Sequence, residues 1–584
     1  MDCQPRTADV LVIGAGISGL SCAAVLRDAG LRVTVLESRR RIGGRLHTVT
    51  LSDGTPQPGW AVDLGGAWVH GIGSSAAPNR LFAMARQLQL SCRHTDYADA
   101  VVYTADGVKL EERAVADMEH LYHAFEEHLH SLLHSPDPRL ALLPIQTVLE
   151  AFASSRNLTP HQRADLAFAV SNHIEHYWAG EAASMGVAAL DEEVLPGGDV
   201  VLAEGYGTIV QHLSSGLDVR LGHEVTAVQY DGTDSGHGVA VTARRLPLAG
   251  AGTGGAAVHF TAHAAVVTLP LGVLRSGAVA FEPALARADA AKAAAIRGLG
   301  TAVYNKVIML FDPADVFWDA TTFIYRVPAP QEMGRWSYFL NLHTVTGAPV
   351  LVAFNLGEAA AALEALSDQD TVAGAMAALE GLYGPARVRR PRQAIVTRWG
   401  SDPHSRMSYT YVPAGLTTAA FDDLARPVLG RLFFAGEATH RRHYGTAHGA
   451  LESGRSAAAA ILQELHARQL LLRPRTLNFQ QRPWRIPVCG VGMTCVAGAH
   501  AVPAAAAFGA KYGSMSAGIT ATGAVLALVP TDGRTAQPES AAPEAVQEEE
   551  EDMCWSRAAT RKGADGLADS VEPAASSVAL CSKL

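Results

Sequence analysis

Cysteine and lysine are both scarce in this chain. Seven cysteines in 584 residues are too few for a disulfide scaffold. None lies between Arg93 and Val488. Only six of the 47 basic residues are lysine, and Lys109, Lys292 and Lys306 are the three in the first 466 residues. Each therefore stands out in a chain that otherwise writes arginine. An excess of positive charge is missing too. Lys and Arg total 47 against 57 Asp and Glu, a net charge of −10, which argues against a nucleic-acid partner and suits a cationic small substrate. No leader is expected, because Met1 to Ala8 is short and polar and a strand-like run follows at once. No membrane partner is expected either. The long apolar stretch from Pro487 to Pro530 is broken by His500, Pro503 and Lys511. What remains is 48% hydrophobic and 18% charged, the balance of a globular chain with room for roughly two to four domains.

Three zones follow. The chain to about Leu90 reads strand, turn, helix, strand. Helical and strand-like patterns then alternate to about Ala460. From about Ala467 to Leu584 the pattern dissolves into Ala/Pro/Ser-rich segments and an acidic run, Glu548 to Asp552, which reads as mostly disordered. The last residues, Ser582, Lys583 and Leu584, form the tripeptide that a soluble import receptor reads at a free C-terminus as a peroxisomal address. Asp117 to His134 carries His120, His123, His128, His130 and His134. His130 and His134 have the i,i+4 spacing of a metal pair, but no third ligand follows at a fixed spacing. An amphipathic helix with Leu121, Phe125, Leu129 and Leu132 on its core face is the expectation, and no metal site is assigned.

A nucleotide cradle opens the chain. Val10-Leu11-Val12-Ile13 is a continuous apolar run, as in a parallel strand buried on both faces. Gly14-Ala15-Gly16-Ile17-Ser18-Gly19 follows. Gly14 allows the tight turn, Gly16 lets the backbone approach a pyrophosphate, and Gly19 lets helix and strand pack closely. The helix N-terminus offers free N–H groups to the phosphates. A helical pattern through Ala23, Leu26 and Ala29 ends at Gly30, and a second strand, Arg32 to Leu36, runs into Glu37. That acid stands where ribose hydroxyls are met.

Further motifs point to a flavin. Arg41-Ile42-Gly43-Gly44-Arg45 offers a guanidinium for a pyrophosphate. Asp63-Leu64-Gly65-Gly66-Ala67-Trp68-Val69-His70 comes next. Leu432-Phe433-Phe434-Ala435-Gly436-Glu437 lies at the far end and His448-Gly449-Ala450-Leu451-Glu452-Ser453-Gly454 follows it. Together these segments resemble the flavin-containing amine oxidase superfamily over about 460 residues. The resemblance implies an α/β, two-domain FAD-linked oxidoreductase, with a Rossmann-like FAD domain interleaved with an α+β substrate domain. The FAD domain is expected at 1–90, 195–275 and 400–466, and the substrate domain at 91–194 and 276–399, with 467–584 as tail.

Within the superfamily, Ala265 to Leu274, Tyr304-Asn305-Lys306-Val307-Ile308, Ser337 to His343 and Arg398 to Pro403 resemble peroxisomal polyamine oxidases. The segment Thr439 to Thr446 is closer to animal polyamine oxidases. The resemblance implies oxidation of spermine, spermidine or N-acetylated polyamines at a secondary amine. Hydride passes to FAD, the imine is hydrolysed to an aminoaldehyde and a shorter amine, and O₂ is reduced to H₂O₂. It further implies that Gly14, Gly16, Gly19, Glu37, Arg45, Gly65, Gly66, Val225, Trp399 and Glu437 contact FAD. Trp68, Tyr304, Trp399, Tyr409 and Thr446 would contact the amine.

Lys306 would hold a water near the flavin. Its four apolar successors, Val307 to Leu310, speak against a surface lysine and for a buried ammonium with a specific partner. His70 would receive a bond from an ammonium or assist its deprotonation, and a structural histidine is the alternative. Glu175 and Glu181 are both candidate anchors for a distal ammonium; solvated surface carboxylates are the plainer reading. Met407 departs from the family's glycine.

Three rivals remain. A lysine-specific histone demethylase would need a preceding chromatin-binding domain and a long charged helical insert, neither of which is expected here. An L-amino-acid oxidase would want an arginine for the carboxylate, for which Arg80, Arg335 and Arg398 are candidates. A flavin-bound interaction protein without turnover is the third.

The cysteine-free stretch covers Arg406 to Tyr409, where monoamine oxidases tether their flavin, so the FAD is expected to be non-covalent. Acid precipitation of the purified protein should leave a yellow supernatant. Colour that stays with the pellet would mean a covalent link.

Overall fold

The computed structural model describes residues 6–468 and 470, apart from 53, 55–58, 232–237, 248–254 and 330–331. The expected tail, its apolar stretch and the terminal tripeptide lie outside the described residues, apart from positions 467, 468 and 470.

A five-stranded parallel sheet is assembled from distant parts of the chain. Its order is Asp218–Leu221, Val33–Glu37, Val10–Ile13, Ala264–Val267 and Leu432–Phe434. Two of the inner members, Val10–Ile13 and Ala264–Val267, are fully buried apolar runs, as in a parallel sheet covered on both faces. Helix Ile17–Asp28 follows the first strand and closes at Gly30, whose φ of +91° suits glycine. The helix Ala447–Ala467 packs directly on it. Small residues set that distance: a Cβ on Gly454 would stand 2.1 Å from the Ser18 carbonyl oxygen. Ser21 Oγ also donates to the Leu451 carbonyl at 3.1 Å. The second sheet is built around the antiparallel strands His223–Gln229, Val239–Arg245 and Ala257–Ala262.

The other large layer is a six-stranded mixed sheet. Its order is Gln393–Val396, Tyr304–Leu310, Val350–Leu356, Arg335–Asn341, Phe323–Val327 and Ala100–Thr104. All pairs are antiparallel except the last. Every residue of Tyr304–Leu310 is buried, so neither face of this strand offers Lys306 a way to solvent. In the register Lys306 lies opposite Phe354.

Helices Glu112–Leu133, Ile145–Ser155 and Pro160–Val170 lie with this part of the chain. The last begins with a capping box, Thr159 and Gln162, and Pro160 at its first position. It runs into a π-helical turn, Ser171–Glu175, and a short segment His176–Trp178. The histidine-rich helix forms as expected, with Phe125 and Leu129 buried and Leu121 and Leu132 partly buried and packed against the core. Met118 and Tyr122 widen the buried face, and Tyr122 stacks on His173 with ring centroids 4.3 Å apart. Among the described residues no group of three His, Cys, Asp or Glu side chains is placed to hold a metal. No described helix is long and apolar enough to cross a membrane.

Candidate active site

The parallel strands deliver their loops to one long cleft of ≈ 1330 Å³ of empty space, mouth included. Helix Ile17–Asp28 points its N-terminus there with no side-chain cap and no acid in its first turn. Its free N–H groups are available to an anion. Gly14 has φ +109°, and a Cβ there would lie 2.6 Å from Thr268 Oγ1. A Cβ on Gly19 would lie 2.0 Å from the Gly14 carbonyl oxygen, so this glycine is a packing requirement. Gly16 and Gly436 differ, since a Cβ on either would meet nothing within 4 Å. Both line the cleft and leave bare backbone facing space. Glu37 is buried and rigid, accepting from the Ala15 N–H at 2.8 Å and the Arg39 N–H at 2.7 Å. Val225 lines the cleft at a β-bulge. Bare glycine backbone, an uncapped helix end and a fixed carboxylate are what a dinucleotide such as FAD requires, and the residues present fit it.

Two residues expected to contact FAD also pair with each other. Arg45 Nη1 donates to Glu437 Oε1 at 2.9 Å and to the Ser408 carbonyl at 2.7 Å. Glu437, expected on the ribityl chain, also accepts from Thr410 Oγ1 at 2.5 Å and from the Gly445 N–H at 3.1 Å. A buried carboxylate recruits such donors, since it is costly unpaired. The pair thus ties the Gly43–Gly44 loop to the strand ending at Phe434. Both residues still line the cleft.

The aromatic residues divide. Trp68 and Tyr409 line the cleft, whereas Trp399 and Tyr304 do not. Trp399 backs the glycine turn: its Nε1 donates to the Leu64 carbonyl at 3.2 Å, and a Cβ on Gly65 would come 3.1 Å from its ring. A Cβ on Gly65 would also stand 1.9 Å from the Arg45 carbonyl oxygen, and one on Gly66 would lie 2.9 Å from Leu46. Thr446 lines the cleft with its hydroxyl engaged as a helix cap, donating to the His443 carbonyl and accepting from the Gly449 N–H. Met407 has a structural role in place of the family's glycine. It is fully buried, and its Sδ accepts the Gly272 N–H at 3.0 Å.

Lys306 is 2% exposed. Its Nζ donates to the backbone carbonyls of Asp63 at 3.1 Å and Gly65 at 2.6 Å. The specific partners that burial demands are therefore carbonyls of the glycine turn. An ammonium has three donors, so one remains for a water. Burial pulls the Lys306 pKa down to about 8, opposed by the negative charge of Asp63. Burial pushes the Asp63 carboxyl up to about 6, restrained by bonds from Thr48 and Tyr206 and by Lys306.

His70 is 8% exposed and its Nδ1 lies 2.8 Å from Asp199 Oδ2. Asp199 Oδ1 accepts the Gly71 N–H at 2.8 Å, which fixes the carboxylate. The carboxylate assigns the proton to Nδ1 and leaves the lone pair on Nε2. That Nε2 is buried without a hydrogen-bond partner. The His70 ring stacks at 6.5 Å from Trp68, which lines the cleft. Tyr304 OH lies 2.9 Å from His176 Nδ1, and His176 Nε2 lies 3.1 Å from Ser337 Oγ. Burial pushes the His176 pKa down to about 3 and keeps it neutral. Tyr409 OH donates to the His176 and Tyr177 carbonyls, both at 3.3 Å.

Asp199 and His176 were absent from the sequence expectations. Their partners are 129 and 128 residues away, and the only local signal was a histidine one position after a residue already singled out, Glu175. Glu175 is not a solvated surface carboxylate: it accepts the Ala182 N–H at 2.8 Å and burial raises its pKa. Glu181 is half-buried and accepts the Glu358 N–H at 2.8 Å. Of the arginines considered for a carboxylate substrate, Arg80 pairs with Glu452 at 2.6 Å and Arg398 with Asp368. Neither these two nor Arg335 lines the cleft.

Residues 17–462 match the family model of flavin-containing amine oxidoreductases. The chain is 36% identical over 473 residues to polyamine oxidase 2 of Arabidopsis thaliana, covering 78% of this chain and 88% of that one. It is 33% identical over 471 residues to lysine-specific histone demethylase 1 homolog 2 of the same plant, but spans 58% of that protein's length. In fold it is similar to a putrescine oxidase double mutant made in a redesign of cofactor binding. The TM-score is 0.59 at 21% identity, over 79% of this chain and 100% of that one.

Asp199 should matter through His70. In Asp199→Asn a single oxygen replaces two, so the Gly71 N–H and the His70 N–H compete for it. We expect kcat/KM for amine oxidation to fall about tenfold or more, with flavin content and Tm unchanged. Wild-type kinetics in that variant would show that His70 acts without it.

Proposed function

The chain belongs to the flavin-containing amine oxidoreductase family, and from that premise we propose that it is an FAD-dependent polyamine oxidase. Its substrates would be spermine, spermidine or N-acetylated polyamines, cut at a secondary amine. The observation that carries this reading is Lys306, a buried ammonium held by the carbonyls of the Asp63–Gly65 turn. The likeness to a plant polyamine oxidase over most of its length supports it. Bound FAD would supply the two-electron acceptor, taking hydride from the carbon beside the nitrogen and passing the electrons to O₂ to give H₂O₂. The absence of cysteine from Arg93 to Val488 supports non-covalent binding.

The chain's own residues would do the rest. Glu37, the uncapped helix end and the glycines hold the nucleotide. Trp68 and Tyr409 give the amine an aromatic wall suited to a cation. His70 Nε2 takes a proton from the ammonium, since a neutral amine is needed to release hydride. Lys306 holds a water with its third donor, for attack on the imine or proton delivery during oxygen reduction. Water and imine then give an aminoaldehyde and a shorter amine. The likeness to a histone demethylase homolog keeps methylated lysine as a second substrate to test.

One assay separates the readings. Peroxide release should follow addition of spermine, spermidine or N-acetylspermine, and not of a methylated histone peptide or an L-amino acid. Release with the peptide or amino acid alone would replace the polyamine reading. Lys306→Met should keep its flavin and lose turnover roughly a hundredfold. Lys306→Arg should not rescue it, because a planar fork cannot take the place of a compact ammonium.

The tripeptide Ser582-Lys583-Leu584 supports a peroxisomal location and an import receptor as partner. A fluorescent N-terminal fusion should enter peroxisomes, and the same fusion lacking Leu584 should stay in the cytosol. Identical distributions would remove the address.

A further inference from the structure

A smaller cavity, ≈ 440 Å³ on the same measure as the cleft, lies against one face of the six-stranded sheet. Three adjoining strands turn Lys306 and Ile308, Leu340, and Val352 and Phe354 to it, at the alternate spacing of a single sheet face. The opposite wall comes from strands Trp60–Asp63 and Asp199–Leu202 and from Ala67. Lys306 borders this cavity and not the nucleotide cleft.

The partition between the two spaces is one backbone thick. Gly66 and Trp68 line the cleft, and Ala67, between them, lines the cavity. The Lys306 ammonium is bonded to the same turn, at the Gly65 carbonyl.

The walls decide what the cavity can hold. Apart from Lys306, Asp63 and Thr346, every lining side chain is a hydrocarbon. These three are already engaged. Lys306 donates to the Asp63 and Gly65 carbonyls, and Thr346 Oγ1 donates to the Leu342 carbonyl at 3.0 Å. The Asp63 carboxylate accepts from Thr48 Oγ1 at 2.5 Å and from the Tyr206 N–H at 3.2 Å. A buried water needs about two to four polar partners, and apolar chambers take up apolar guests instead. A polyamine finds no uncommitted carboxylate here. Dioxygen is the apolar molecule that the proposed reaction consumes. It gains by leaving water for hydrocarbon walls. An ammonium beside it favours the negative charge that develops as it accepts electrons.

We propose that this cavity is a dioxygen-binding site, which holds O₂ behind the Gly65–Gly66–Ala67 turn and supplies it past Lys306 to the flavin side, apart from the path of the amine. The proposal rests on the oxidase reading and adds a separate holding site for the second substrate. No bond is made or broken in the cavity.

Two measurements on the flavin-loaded protein test it. In the first, the oxidised, amine-free protein is equilibrated with O₂ under pressure, and the paramagnetic relaxation of its methyl groups is read by NMR. The methyls of Val201, Leu340 and Val352 should relax faster than equally buried methyls elsewhere, such as those of Leu129 and Ile461. Val352→Phe, which fills the space, should abolish the excess at Val201 and Leu340. In the second, the flavin is reduced by light without amine and mixed with O₂. Val352→Phe should slow this reoxidation about tenfold, with anaerobic reduction by spermine and reoxidation by the bulkier ferricenium ion within about twofold of wild type. Val201→Leu fills the same space more mildly and should slow the reaction with O₂ in the same direction. Cavity methyls that relax no faster than the controls would overturn the site, as would a wild-type rate with O₂ in folded, flavin-loaded variants. If both measurements come out as expected but no polyamine is oxidised, the polyamine reading falls and the oxygen site stands.

Discussion

A buried ammonium held by two backbone carbonyls organises this molecule. Lys306 sits in a strand buried on both faces and donates to the carbonyls of Asp63 and Gly65. A charge so placed cannot be left without partners. The bond ties the strand Tyr304–Leu310 of the mixed sheet to the glycine turn that borders the nucleotide cleft. Much around it serves that contact. Gly65 has no space for a side chain, Trp399 backs the turn, and Asn305 Oδ1 accepts the Trp399 N–H at 3.0 Å. Asp63, through Thr48 and the Tyr206 N–H, fixes the other end of the turn.

The second constraint is the pairing of a carboxylate with a basic side chain from a distant part of the chain. Arg45 and Glu437 join the glycine loop to the last sheet strand. His70 and Asp199 join the strand after the glycine turn to the strand Asp199–Leu202. Glu119 and His173 join the histidine-rich helix to the π-helical turn. In each case a carboxylate and a basic side chain from different elements hold each other. Such groups are arranged before substrate arrives, the condition under which fixed charges act most strongly.

How far this was legible in the sequence follows from the range of each interaction. Gly14, Gly16, Gly19 and Glu37 were readable because turn, helix end and acid lie within one βαβ unit. The burial of Lys306 was readable from its four apolar successors. Its partners were not, since they depend on how two sheets meet. Asp199 gave no local signal, because its histidine is 129 residues away. Glu175 and Glu181 drew attention as acids, but their backbone bonds are visible only in the folded chain. The helix Glu112–Leu133 and its core-facing Phe125 and Leu129 were legible from periodicity, whereas the burial of Tyr122 was not, because it goes with its stack on His173. Met407 looked like a defect in sequence and proves to be an acceptor for Gly272.

On the proposed function the glycine turn presents Lys306 to the flavin, and a crystal structure of the FAD-loaded enzyme tests this. Lys306 should keep its bonds to the Asp63 and Gly65 carbonyls and direct its third donor to a water in contact with the isoalloxazine ring. A ring bound beyond the reach of one water from Lys306, or a lysine released from both carbonyls, would contradict it.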